Sequence, residues 1–224
     1  VLVAILAFLL GGLVVALLYQ SDVFGGSSNS TNQGSGVPAT QSRDVAAFKS
    51  LELAGSNNVV IRVGEKQSVV VRADDNLLHR VTTKVQSGTL VIGNIPGSFT
   101  TKSPMRVEVD VPTLNALALT GSGNIVINNI EAESLKVTLS GSGTLTASGT
   151  ATRLDVRVGG SGTTQFTRLF AKDVRAVVSG SGSIFITATK SLDASVPGAG
   201  AILYAGNPQN VTKSITGSGT IAGS

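Results

Sequence analysis

Few side chains in this sequence could do chemistry, and the most suggestive of them recur at a fixed spacing. Five residues before successive glycine-rich turns stand Lys136, Asp155, Arg175 and Asp193. Two carboxylates facing each other across a cleft could act as acid and base on a glycosidic bond, or hold a divalent cation. Here the carboxylates alternate with cations. The pattern therefore predicts an outward row in which opposite charges on neighbouring strands pair and help set register, each pair contributing about 0.2–1 kcal/mol. Asp74-Asp75-Asn76 offers oxygens to Ca²⁺, but that ion takes about six to eight ligands, more than this cluster supplies, and a turn is the expected role. His79 is the single histidine and has no Ser or Cys partner in a recognisable motif, so a surface or turn position is expected. Cysteine is absent, which removes disulfides, thiolate metal sites, a cysteine nucleophile and a lipidated cysteine anchor. No G-x-S-x-G, P-loop or dinucleotide fingerprint occurs. The expectation is no catalytic residue, no metal and no cofactor.

The composition points the same way. Of 224 residues only 13% are charged and 4% aromatic, while 27 are glycine. That profile departs from an average enzyme and suits an all-β or repeat protein. The formal charge of +4 rests on 17 Lys and Arg residues that do not cluster, so nucleic acid is not an expected partner.

The elements that would position these residues follow from an internal repeat. Gly-Ser-Gly or a near copy starts at Gly121, Gly141, Gly160, Gly180, Gly198 and Gly217, at intervals of 20, 19, 20, 18 and 19 residues. Apolar residues alternate on both sides, which is the period of a strand. Before the turns stand Leu117 and Leu119, Val137 and Leu139, Val156 and Val158, Ala176 and Val178, and Ala194 and Val196. After them come Ile125 and Ile127, Leu145 and Ala147, Thr164 and Phe166, Ile184 and Ile186, and Ile202 and Tyr204. Each repeat reads as two short strands around a glycine corner, where φ > 0 or close backbone approach excludes a Cβ. No helix separates the strands, and the fixed spacing favours a β-solenoid over an antiparallel sandwich. The fold class expected is all-β, a right-handed parallel β-helix of about 19–20 residues per coil, its handedness taken from the crossover rule. Asp74 to Asn76 and Gly97 to Pro104 look like longer excursions or a cap.

Residues Val1 to Tyr19 carry no charge, and such a helix would span about 30 Å, the hydrocarbon thickness of a bilayer. The apolar run exceeds a signal-peptide core and lacks a small-x-small cleavage site, so one transmembrane helix precedes the solenoid in this reading. The domains expected are a transmembrane anchor or uncleaved signal at 1–20, a flexible Gly/Ser/Asn-rich linker at 21–43 and the β-helix at 44–224. The location expected is a single-pass protein of a bacterial cell membrane with its domain on the extracytoplasmic side.

From Phe48-x-x-Leu51-x-Leu53-x-Gly55 with Val59-Val60-Ile61, through Val71-Arg72-Ala73-Asp74-Asp75-Asn76-Leu77-Leu78 and Gly88-Thr89-Leu90-Val91-Ile92, to the serial Gly-Ser-Gly corners, the chain resembles the bacterial head GIN domain. That family is described as an auto-transporter adhesin domain of unknown function, and the resemblance covers roughly Asp44 to Ser224. It implies a right-handed parallel β-helix outside the cell membrane, with no catalytic residues to carry over.

The partners expected are the lipid bilayer through residues 1–19, a cell-surface glycan or protein ligand, and a second copy of the chain through the solenoid ends. Phe185 and Leu203 share an outward position on adjacent coils, near Val177, and these three residues are the expected partner contact. The function expected is non-catalytic adhesion, binding or envelope structure. The alternative is a carbohydrate-active enzyme on the same scaffold, with Asp155 and Asp193 as its carboxylates.

Overall fold

Alternating apolar residues between glycine corners commit the chain to long strands stacked one on the next. In the computed structural model, which describes residues 32–224, the stretches between corners form the strands Asn124–Leu139, Thr144–Val158, Thr163–Val178 and Ser183–Val196. They pair in parallel and in register, with Val137 opposite Val156, Val156 opposite Ala176 and Ala176 opposite Ala194. This is a β-solenoid. Inward residues on either side of each corner, from Leu117 to Ile202, are buried as ladders in one continuous core.

Two expectations about the repeat are corrected. Each coil is one strand rather than two short ones, because the chain bends through register shifts at Ile127/Ile130, Thr146/Ser148 and Phe166/Phe170 instead of breaking. Beyond the bend runs a further set of buried ladders absent from the sequence reading: Leu135, Leu154, Val174 and Leu192, beside Ala151, Ala171 and Ala188. The corner glycines also have a single cause. None of those opening a Gly-Ser-Gly corner has positive φ. A Cβ at Gly141 would meet the carbonyl oxygen of Gly121, and one at Gly180 that of Gly160, so close stacking of backbone on backbone excludes it.

Chain order and stacking order differ at the N-terminal end. Ser50–Leu53 lies between Ala116–Leu119 and Thr89–Asn94, and Asn58–Val63 lies between Asn124–Leu139 and Arg106–Val111. The first coil in sequence is therefore inside the stack. Above it the parallel pattern ends: Ser68–Asp74 pairs antiparallel with Arg106–Val111, Pro38–Ser42 pairs antiparallel with Ser68–Asp74, and Val81–Gln86 pairs antiparallel with Thr89–Asn94. Ser87 and Gly88, both at positive φ, close this last hairpin in two residues. Such strands cover an edge that a bare rung would leave open. Inside the stretch read as linker, Pro38–Ser42 pairs into this sheet, and Asn32–Gln33 forms a separate two-stranded parallel sheet with Phe99–Thr100. Among the described residues no helix is long and apolar enough to cross a membrane, and the anchor expected at residues 1–20 lies outside them.

Candidate functional site

In-register parallel stacking brings residues of one sequence position to about 4.8 Å from their equivalents on the next coil. The row Lys136, Asp155, Arg175, Asp193 therefore forms as the spacing indicates, each residue opposite the next. A second polar row, Ser134, Arg153, Asp173 and Ser191, runs beside it, and the two flank a shallow groove of about 300 Å³. Every carboxylate here meets a cation. Asp155 pairs with Arg157 at 3.1 Å, Asp193 with Arg175 at 3.9 Å and Asp173 with Lys190 at 3.8 Å, while Ser191 donates to Asp173 at 2.7 Å. Arg153 reaches Glu133 at 3.0 Å. Such exposed pairs contribute about 0–1 kcal/mol each. Asp155 and Asp193 stand two rungs apart with Arg175 between them, so they do not face one reacting atom. Asp155 finds its cation two residues along its own coil, so of the cross-coil pairs expected in this row only Arg175–Asp193 forms, and the groove is a mixed-charge face.

Phe185 and Leu203 are register neighbours, the first half-buried and the second 41% exposed. Val177 precedes the Gly180 corner and has Arg157 and Ser195 as its register neighbours. Phe185 and Leu203 are thus brought together, and Val177 is placed in another ladder. Along the Phe185 ladder lie Gln165 and Thr146, then Val126, which is also exposed.

Asp74 to Asn76 form a clasp. The Asp74 side chain, 0% exposed, accepts hydrogen bonds from the backbone N–H groups of Gly36 at 3.0 Å, Lys102 at 2.9 Å and Ser103 at 3.2 Å. Burial alone would raise its pKa, but the bonds from Lys102, Ser103 and Gly36 outweigh it and hold the carboxyl below its ordinary value. Asn76 accepts from the Ser35 N–H and donates to the Gln33 carbonyl, and Ser35 Oγ donates to Asp75. The oxygens that could have served Ca²⁺ instead tie residues 33–36 and the 99–103 excursion to the cap. His79 is exposed on the short 3-10 helix Asp75–Arg80. Among the described residues no group of three His, Cys, Asp or Glu side chains gathers as a metal site.

One exposed residue escaped the sequence reading. Phe170 is 53% exposed, although strict alternation from the inward Phe166 would bury it. The register shift between these two positions reverses the alternation, so Leu169 turns in and Phe170 turns out. Its register neighbour Thr150 and, one coil further, Glu131 also face out at this bend, so the outward position belongs to the bend that recurs from coil to coil.

A family profile described as "Putative auto-transporter adhesin, head GIN domain" matches residues 47–208. No curated protein matches the chain. Among solved structures, a putative adhesin from Bacteroides fragilis is 26% identical with a TM-score of 0.71, over 86% of this chain and 99% of that one. A putative adhesin from Parabacteroides distasonis is 22% identical with a TM-score of 0.57, over 86% and 99%. A protein of the same organism described as a putative lipid binding protein is 22% identical with a TM-score of 0.53, over 86% and 98%.

Proposed function

The chain belongs to the head GIN domain family, and from that premise we propose that it is a non-catalytic binding module, a right-handed β-solenoid held at the outer face of a bacterial membrane by residues 1–19 and used for adhesion or envelope contact. One observation carries the reading. The solenoid repeats outward side chains in ladders, and the carboxylates of its charged groove are interleaved and paired with cations rather than converging on a cleft. A repetitive wall of this kind suits an extended ligand better than a reacting bond. The uncharged run Val1 to Tyr19, about 30 Å long as a helix, supports the anchor. The likeness to the putative adhesin of Bacteroides fragilis supports the surface role.

The contact residues we assign are Phe185 and Leu203, with Val177 on a separate ladder across the Gly180 corner. Self-association is a second mode, through the outer rung of Asn210–Ile215 and Thr220–Gly223, where Val211 and Ile215 are exposed. A monomer independent of concentration in sedimentation would refute that mode.

The test incubates full-length protein in liposomes with purified cell-wall glycans and matrix proteins, while soluble products are followed over time. Saturable retention without products is expected, weakened by Phe185→Ser and Leu203→Ser. New reducing ends or unsaturated sugars would overturn the reading in favour of a carbohydrate-active enzyme, and Asp155 and Asp193 would then be the first carboxylates to replace.

A further inference from the structure

We propose that Phe170 is the platform of a site for a neutral saccharide on a wall of the solenoid distinct from the Phe185 ladder; the proposal rests on the binding-module reading and names its ligand class.

The site is built by the bend of the coils. Glu131, Thr150 and Phe170 stack in register on successive rungs, with Ala132, Ala151 and Ala171 in register beside them. A hollow of about 550 Å³ is lined by Phe170, Glu131, Glu133, Thr150, Thr152 and Lys172. That volume lies within the range of small-molecule sites. Phe170 is the one exposed phenylalanine among the described residues. Its outward position is held in place: the five residues from Phe166 to Phe170 stand against Ile186 and Thr187, and the buried Thr187 hydroxyl donates to the Thr167 carbonyl at 2.9 Å inside the bulge. A bulge that re-aims one side chain is a feature of binding sites more than of plain walls.

The chemistry around the ring selects the ligand. Among the described residues, the Thr150 and Thr152 hydroxyls, the Glu131 carboxylate and the Lys172 ammonium make no hydrogen bond within the protein. They offer donors and acceptors together to a molecule rich in hydroxyl groups. Thr189 on the rim is already engaged, donating to the Ala171 carbonyl at 3.1 Å. The charges balance: Glu131 and Glu133 are set against Lys172 and Arg153, the last bound to Glu133 at 3.0 Å. Neither a cation nor an anion is favoured by such a set. The face of the ring carries partial negative charge and attracts the polarised C–H groups on one side of a pyranose. A protein partner would instead want several contiguous apolar groups at the centre of the contact, and here a lone aromatic is surrounded by polar side chains.

The test uses full-length protein in detergent micelles, titrated with neutral cello-, malto-, galacto- and chito-oligosaccharides. Saturation-transfer NMR and calorimetry read the binding. Because Phe170 is exposed, Phe170→Ala should fold as wild type, which circular dichroism checks. The expected result is saturable binding of at least one series, weakened about tenfold or more by Phe170→Ala, retained by Phe170→Tyr, and nearly insensitive to added salt because the site has no net charge. The proposal is overturned if none of the four series binds, if Phe170→Ala binds as well as wild type, if affinity falls steeply with salt, or if only a protein ligand depends on Phe170. The two readings fail differently. Retention on cell-wall material that survives Phe170→Ala leaves the binding module standing and removes this site, whereas wild-type protein that is retained on no surface removes the module itself.

Discussion

Substitution of two adjacent glycines by alanine should have opposite effects on stability. At Gly160, which opens a corner, a Cβ would meet the Gly141 carbonyl oxygen and lie 2.5 Å from the Ser140 oxygen and 2.8 Å from its carbonyl carbon. All three are backbone atoms of the coil beneath, so no side-chain rotation can relieve the overlap. The corner must lift, against hydrogen bonds such as Gly162 N–H to the Gly141 carbonyl at 3.2 Å. Overpacking of this kind costs about 1–3 kcal/mol, and contact with fixed backbone places Gly160→Ala in the upper part of that range. For a fold of this size each kcal/mol lowers Tm by about 2–4 °C, so a fall of roughly 4–12 °C is expected. At Gly159 a Cβ would meet only Ser179 Oγ at 3.7 Å, an ordinary contact, and φ is not positive. The equivalent positions on other coils already carry Thr120, Ser140 and Ser179. Gly159→Ala should be neutral or stabilising by up to about 1 kcal/mol, through the smaller entropy of the unfolded chain. Thermal unfolding of the full chain in detergent, followed by circular dichroism, measures both. Equal losses at the two positions would refute the stacking argument and return the corner glycines to a need for conformational freedom.

Other perturbations test other parts of the fold. Thr164 sits fully buried in the ladder between Leu145 and Ile184, and its hydroxyl has no partner among the described residues; Thr164→Val should stabilise by about 1 kcal/mol in denaturant titration. Arg175→Glu would line up three carboxylates with Asp155 and Asp193, and should lower Tm at low salt with most of the loss recovered at high salt. Asp74 and Asp110 both have pKa values below the ordinary one: for each, burial raises it but is outweighed, at Asp74 by the bonds described above and at Asp110 by Arg62 and Ser68. Their contribution to stability is complete above the unfolded Asp value of about 3.9 and is lost as pH falls through the lower folded values. Tm should therefore fall with acidification below about pH 4, and Asp74→Asn should flatten that slope; a slope unchanged in the variant would show that the clasp does not contribute.

How much could be read from the chain alone follows from the range of each interaction. The inward ladders Leu139, Val158, Val178 and Val196 were legible because a coil repeats its own local pattern, and alternation plus a fixed spacing dictates what stacks on what. The charged row from Lys136 to Asp193 was legible for the same reason, being one position of the repeat. The side-by-side placement of Phe185 and Leu203 likewise needed only register.

What escaped depends on pairing between distant segments. The place of Ser50–Leu53 inside the stack is set by whether Thr89–Asn94 or Ala116–Leu119 reaches each of its edges, and local propensity is the same for either order. The role of Asp74 appears only when Gly36, Lys102 and Ser103, far apart in the chain, bring their N–H groups to one carboxylate. Phe170 escaped because the coils reverse their alternation at the bend, where Glu131, Thr150 and Phe170 all face out, and strict alternation carried from Phe166 holds no record of that bend. Period and composition thus determined the solenoid and its ladders. Strand order, the clasped cap and the exposed aromatic were decided by tertiary pairing, because a strand's two hydrogen-bonding edges carry no record in the sequence of which partner will fill them.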